Sequence, residues 1–386
     1  MFSYTPAIIH YQKQEFGQNP LFHDIALAIM RMSGKRIIEA GCGLGYLSKE
    51  LSGLGATVTA VDNNPFVAAQ AVYPVLPRDI HTLEPAETYD ALVCCNYGCV
   101  LEDLELAGTL SHGALFMIRQ NWEGHRYQPA ESAPNRASQA REMLTSLCIP
   151  FTETSLTVES GQRFTDKEDA RSFFQAYGNA HIPQLDHIDG PYPLLYHRPG
   201  NLSLFCVKTK DIPQLGNVKN LIIAGEQGVG KSTLRLRILD LYHGTLTGFT
   251  TTKRDGQVYL DGIGKDIHGV AGKAGERKSE VFDTLGVQAL RQKGGLLVMD
   301  ELGYMENDAL LFQEAVLAAL GEKTPAICVV KEKMTPFLIR VRSDSHSLTL
   351  HLKEENRQAI TEELLRAIPT CTKWPFAKAF TRPASL

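Results

Sequence analysis

Gly225-Glu226-Gln227-Gly228-Val229-Gly230-Lys231-Ser232 matches the pattern G-x-x-x-x-G-K-[ST] at every defined position, which leaves the second half of the chain few folds to choose from. The run follows the apolar segment Asn220–Ala224 and precedes the helix-period segment Thr233–Leu239, so a buried strand must turn tightly into a helix here. That turn favours one ligand class. Consecutive backbone N–H groups make an anion nest, the helix N-terminus adds partial positive charge, Lys231 reaches a β/γ-phosphate pair, and the Ser232 hydroxyl binds Mg²⁺. The expected nucleotide-binding set runs from Gly225 through Thr233.

Such a cradle also needs an acid near the metal. Gly294–Glu301 supplies an apolar strand ending in two carboxylates. Asp300 is expected to share the Mg²⁺ shell with Ser232, and Glu301 to orient or deprotonate the attacking water, with Lys231 and Glu301 as the catalytic pair. Transition-state charge on the γ-phosphate calls for a further cation. Arg254, Lys273 and Arg277 stand on glycine-flanked segments and are the candidates, set against the plain reading of each as a solvated surface charge.

These stretches resemble the THEP1-type nucleoside triphosphatases over about residues 218–368. The resemblance rests on the phosphate loop, Leu246–Thr251, Ala271–Gly275, Asp300–Glu306 and Glu355-Asn356-Arg357. The family's usual Asp-Glu-Ile-Gly-Lys-Met-Glu run is changed by Leu302 and Tyr304, which removes a lysine but keeps both acids. The resemblance implies slow hydrolysis of ATP or GTP with little base preference. A guanine-reading Asn-Lys-x-Asp motif is not evident, since Val330-Lys331-Glu332-Lys333 is too different.

A second glycine loop lies in the first half. Arg36–Ser48 reads as a short strand, a turn with glycines at 41, 43 and 45, and the start of a helix. The next strand, Val58–Asp62, ends in an acid about 20 residues on, where such folds hydrogen-bond a ribose diol. Tyr46 occupies the last glycine position of the dinucleotide fingerprint G-x-G-x-x-G, so the loop departs from it. The arrangement Glu39-x-Gly41-x-Gly43-x-Gly45 instead resembles motif I of class I S-adenosylmethionine-dependent methyltransferases, over about residues 20–208. The resemblance implies a cofactor site drawn from Glu39, Gly41, Cys42, Gly43, Gly45, Asp62, Asn63, Asp79 and Asn96. In it the glycines lie against the methionine part, Asp62 holds the ribose and Asp79 lies near the adenine. It also implies strands at Tyr89–Asn96 and Gly113–Ile118, and an antiparallel edge strand at Leu202–Val207.

Methyl transfer asks only for an aligned nucleophile and, where that nucleophile carries a proton, a base. Asn96, Tyr97 and Glu102 would face the methyl group under the family geometry, while Cys94 and Cys95 read as small strand residues packed in or beside the core. The methyl acceptor is unknown.

The chain has 386 residues, enough for two domains, and its two α/β series differ in their glycine loops and are not repeats. The expected fold class is α/β in two domains: a methyltransferase-like seven-stranded sheet over 1–210, a linker over 211–217, and a parallel-sheet phosphate-loop domain over 218–386. A net charge of -4 gives no global attraction toward polyanions, so nucleic acid is not indicated. Eight cysteines without regular spacing, no signal peptide and no apolar run of membrane length fit a reducing cytoplasm and no membrane partner. The expected function is bifunctional: methyl transfer, and Mg²⁺-dependent hydrolysis of a nucleoside triphosphate to diphosphate and phosphate. The alternatives are a nucleotide-dependent switch acting on the methyltransferase half or a partner, and a small-molecule kinase.

Overall fold

The computed structural model describes residues 4–17, 20–84, 88–122, 134–158, 161–179, 181–197, 200–273 and 276–381. These form two compact units. The first comprises Met1–Gly98, Leu106–Arg141 and Ile149–Ile212; the second comprises Pro213–Leu386 together with the short segments Cys99–Glu105 and Glu142–Cys148.

In chain order the first unit carries strands β1 Arg36–Ala40, β2 Thr57–Asp62, β3 Val75–Pro77, β4 Tyr89–Cys95, β5 Ser111–Gln120, β6 Thr152–Val158, β7 Gly161–Phe164, β8 Asp186–His187, β9 Leu194–His197 and β10 Gly200–Lys208. Seven of them form one sheet in the order β3-β2-β1-β4-β5-β10-β6. The five strands from β3 to β5 are parallel, and β10 runs antiparallel to both β5 and β6. Ile37 and Ile38 on β1 are both fully buried, as are Leu92 and Val93 on β4, because neighbours cover both faces of a parallel sheet. The expected antiparallel strand is present, but it is not the edge. Leu202–Val207 is continuously buried, so β10 is inserted as an inner strand and β6 takes the edge. Strands β7, β9 and β8 make a separate antiparallel sheet, where Phe164 packs with Phe173 and Phe174 of the helix Lys167–Ala176 and with Tyr11 of the helix Pro6–Phe16.

The second unit carries β11 Asn220–Gly225, β12 Leu246–Arg254, β13 Gln257–Gly262, β14 His268–Lys273, β15 Glu276–Arg277, β16 Leu296–Leu302, β17 Ala326–Lys331 and β18 Ser347–Leu352. The sheet order is β15-β14-β13-β12-β16-β17-β11-β18. The five strands β12 to β18 in that order are parallel, as expected, and β13–β15 extend them with antiparallel pairs. The turn at Asp255-Gly256, with both residues at positive φ, folds the chain straight back into that extension. Phe249, Phe282, Phe312, Met299 and Leu302 fill the core on one face. The tail also packs: Trp374, Phe376 and Ala377 are fully buried, and the Glu105 carboxylate accepts backbone N–H bonds from Thr372, Lys373 and Trp374 at 2.9, 2.9 and 2.7 Å.

No helix among the described residues is long and apolar enough to cross a membrane.

Candidate functional site

Strand β11 is buried along its whole length and ends at Gly225, where an added Cβ would lie 2.4 Å from the Leu352 carbonyl of β18. The loop then turns through Gly228 at φ 88° and Gly230 at φ 101°, left-handed conformations that glycine adopts without penalty. The helix Lys231–Leu239 starts at once, with Glu226, Gln227, Gly228, Ser232 and Thr233 exposed at its mouth and Val229 half-buried. Lys231 is only 5% exposed. Its ammonium folds back to donate to the Gly225 and Glu226 carbonyls at 2.9 and 2.7 Å, and it lies 3.3 Å from Glu301 Oε1.

The two acids divide as their surroundings dictate. Asp300 is buried and its Oδ2 pairs with Arg235 Nη1 at 2.8 Å, while Oδ1 is buried with no hydrogen-bond partner. Burial raises the Asp300 carboxyl above the ordinary range, and Arg235 pulls it back. An orphaned carboxylate oxygen near the Ser232 hydroxyl is a donor set that fits Mg²⁺, which takes one or two carboxylates and completes its shell with phosphate and water. Glu301 is about one quarter exposed, and its backbone N–H donates to Thr251 Oγ1 at 3.0 Å. It lines a cavity of about 200 Å³ with Gln227, Thr251, Thr252, Lys273 and Lys331.

Of the three candidate cations, Lys273 lines that cavity. Arg254 pairs with Asp261 at 3.3 Å and Arg277 with Asp308 at 3.3 Å, so both point to local acids. Sequence reasoning missed Arg235 and Lys331. Lys331 Nζ sits 3.2 Å from Glu301 Oε2, and its only sequence signal was an apolar run ending in lysine, Ala326–Lys331. Glu306, the last acid of the Asp300–Glu306 run, accepts the Gly303 N–H at 2.8 Å, and burial pushes its carboxyl up to about 7. Near the late motif, Asn356 holds the turn by bonding Lys353 N and the His351 carbonyl, and the Arg357 stem would lie 3.8 Å from a Cβ at Gly230. A second cavity, about 600 Å³, reaches Gly225, Glu226, Val229 and Leu352–Asn356.

In the first unit, Gly41, Gly43 and Gly45 all have positive φ, at 61°, 56° and 74°. Nothing lies within 4 Å of a Cβ built on Gly43, whereas one on Gly41 would meet the Tyr97 ring at 2.3 Å. The open face at Gly43 and the tight one at Gly41 fit a ligand passing over the middle of the loop. Asp62 clamps the loop, taking Gly43 N–H and Asn64 N–H on its two oxygens at 2.9 Å each. Glu39 is buried and bonded to the Ser48 hydroxyl; desolvation raises its carboxyl to about 7. It therefore braces the strand against the helix Tyr46–Gly53. Cys42 is half-buried, its N–H donating to the Val61 carbonyl at 3.0 Å, and burial pushes its thiol up.

Asn63 is exposed beside Asp62. Asp79 follows β3 and caps the short turn Ile80–Thr82, accepting His81 N–H at 3.0 Å. Asn96 closes β4 at φ 50°, with its N–H on the Ile118 carbonyl at 2.9 Å, and Arg136 donates to the Asn96, Tyr97 and Gly98 carbonyls. Cys94 is fully buried on β4. Glu102 is buried at 6% exposure on the helix Val100–Leu110.

Residues 268–365 match the family model described as NTPase. The nucleoside-triphosphatase THEP1 of Thermotoga maritima is 24% identical over 164 residues, covering 38% of this chain and 94% of that protein. The ubiquinone biosynthesis O-methyltransferase of Xanthomonas oryzae is 31% identical over 94 residues, which are 22% of this chain and only 39% of that enzyme's length. The crystal structure of THEP1 from Aquifex aeolicus aligns at 21% identity over 38% of this chain and 96% of its own, with a TM-score of 0.33.

Proposed function

From a chain whose first part is methyltransferase-like and whose later part is NTPase-like, we propose a bifunctional enzyme that hydrolyses nucleoside triphosphates in its second half and transfers a methyl group from S-adenosylmethionine in its first. The observation that carries the reading is the state of Lys231. Its buried ammonium is held by two loop carbonyls and one Glu301 oxygen, partners that the more highly charged oxygens of a triphosphate can replace. The glycine loop receives phosphate oxygens on its N–H groups, and Lys231 swings from Glu301 Oε1 to the phosphates. That releases one carboxylate oxygen of Glu301 to take a water proton. Ser232 and Asp300 would hold Mg²⁺, which supplies charge neutralisation at the phosphates when bound. ATP and GTP both serve, since a guanine-reading Asn-Lys-x-Asp motif is not evident.

In the first half, Gly41–Gly45 and Asp62 would seat the cofactor, with Asp79 and Asn96 at its flanks, and the bound sulfonium supplies the methyl group. Asn96 and Tyr97 line the acceptor side. The domain division is proposed at 211–217, in line with the break between Ile212 and Pro213.

Steady-state phosphate release by the full chain with Mg²⁺ and ATP tests the hydrolytic half. Lys231→Ala is expected to reduce it by about 10²-fold or more. Undiminished release from that variant would end the reading, and ADP formation that requires an added acceptor, without matching phosphate release, would favour a kinase. Calorimetric titration with S-adenosylhomocysteine tests the cofactor half, with no heat of binding as the adverse result.

A further inference from the structure

Glu301 is held from both sides: Lys231 Nζ lies 3.3 Å from Oε1 and Lys331 Nζ 3.2 Å from Oε2. Only one of these lysines is free to stay when a triphosphate occupies the loop, because Lys231 belongs to the phosphates. Lys331 is anchored for the task. Its backbone pairs in register with Gly225, the first loop residue, and the Glu332 N–H donates to the Gly225 carbonyl at 3.2 Å. Arg342 Nη1 ties down the Lys331 carbonyl at 3.0 Å.

On the neighbouring strand the β16–β17 register slips between Asp300 and Leu302, so Glu301 is the residue left out of the ladder. The side chain of Lys331 is as closely placed as its backbone. A Cβ on Gly303 would lie 3.0 Å from Lys331 Cδ, so the glycine makes room for the aliphatic stem. The ammonium stands 5.1 Å from the centre of the Tyr304 ring, within cation–π range. At 22% exposure it is not a solvated surface lysine.

We propose that Lys331 is a positioning residue for hydrolysis: it fixes the Glu301 carboxylate at the cavity wall beside the phosphate loop while Lys231 serves the nucleotide. The inference rests on the hydrolytic reading above. Losing Lys331 leaves the phosphate cradle whole but lets the carboxylate swing, so turnover falls without loss of binding.

The test uses the full chain, with phosphate release from MgATP for kcat and KM and calorimetric binding of MgADP. Lys331→Met is expected to lower kcat by about 10²-fold, the cost of misplacing a reacting group by ~1 Å, with KM and MgADP affinity changed by less than about threefold. Lys331→Arg, which keeps the charge, is expected to recover to within about tenfold of the parent. Gly303→Ala leaves every charge in place and crowds the Lys331 side chain, whose Cδ would lie 3.0 Å from the new methyl; it should lower kcat with MgADP affinity intact. Turnover of Lys331→Met within about twofold of the parent, or a loss of MgADP affinity as large as the loss of kcat, overturns the proposal. A parent protein that binds MgADP yet releases no phosphate from MgATP overturns the hydrolytic reading itself, and the role of Lys331 with it.

Discussion

Glu306 illustrates how one side chain ties site chemistry to stability. It is 2% exposed, and burial raises its carboxyl to about 7 against the Gly303 N–H bond and the charge of Lys331, both of which pull it down. The unfolded chain ionises this acid near 4.5, so between about 4.5 and 7 the folded state binds the extra proton. Stability contributed here is therefore full at low pH and drains away as pH rises through about 7, by roughly 3 kcal/mol if the whole shift is expressed. Glu306→Gln keeps an acceptor for Gly303 and cannot ionise. Urea unfolding at pH 5 and pH 8 should show the variant losing less stability than the parent across that interval. An equal or steeper loss would mean that Glu306 is ionised in the folded state throughout. Glu301, a few residues earlier, lines the cavity with one lysine ammonium on each carboxylate oxygen.

At the scale of elements, the strand-to-helix turns are set locally, but what closes their far ends is not. The tail Cys371–Phe376 has no secondary-structure signal strong enough to dock it, yet Trp374 is fully buried. Glu105 does the docking: one carboxylate receives three consecutive backbone N–H groups, the geometry of an anion nest turned inward. Removing it would take the carboxylate away from three backbone donors, of which the Trp374 N–H is buried, each bond to a charged group being worth about 1.5–3 kcal/mol, though not additively. Glu105→Ala is expected to destabilise the second unit by about 3 kcal/mol or more and to raise the intrinsic tryptophan emission wavelength as Trp374 meets water. A melting temperature and emission maximum matching the parent would show that aromatic packing alone holds the tail.

For the whole molecule, each compact unit has its own core and its own glycine loop, so ligands should stabilise through mass action on the unit they bind. At about 100 times its dissociation constant, each ligand is worth about 2.7 kcal/mol. Differential scanning calorimetry should therefore show S-adenosylhomocysteine and MgADP each raising the unfolding temperature of the unit it binds. A ligand that moves no transition at saturating concentration would not be bound by the folded chain.

The amino-acid sequence alone determined the two glycine cradles, the Asp300-Glu301 pair and the α/β character of both halves, because each depends on spacing over a few residues. Strand identity followed from apolar runs, although Leu202–Val207, expected at the edge from the methyltransferase resemblance, lies inside the sheet between β5 and β6. The docking of Trp374 was likewise absent from any local pattern, and the antiparallel extension β13–β15 was carried locally only by the Asp255-Gly256 turn. Only the tertiary structure brought Tyr97 against Gly41, Arg235 to Asp300 and Lys331 to Glu301. These partners are separated along the chain by loops and whole strands, and sheet order and register, rather than spacing, set which side chains meet.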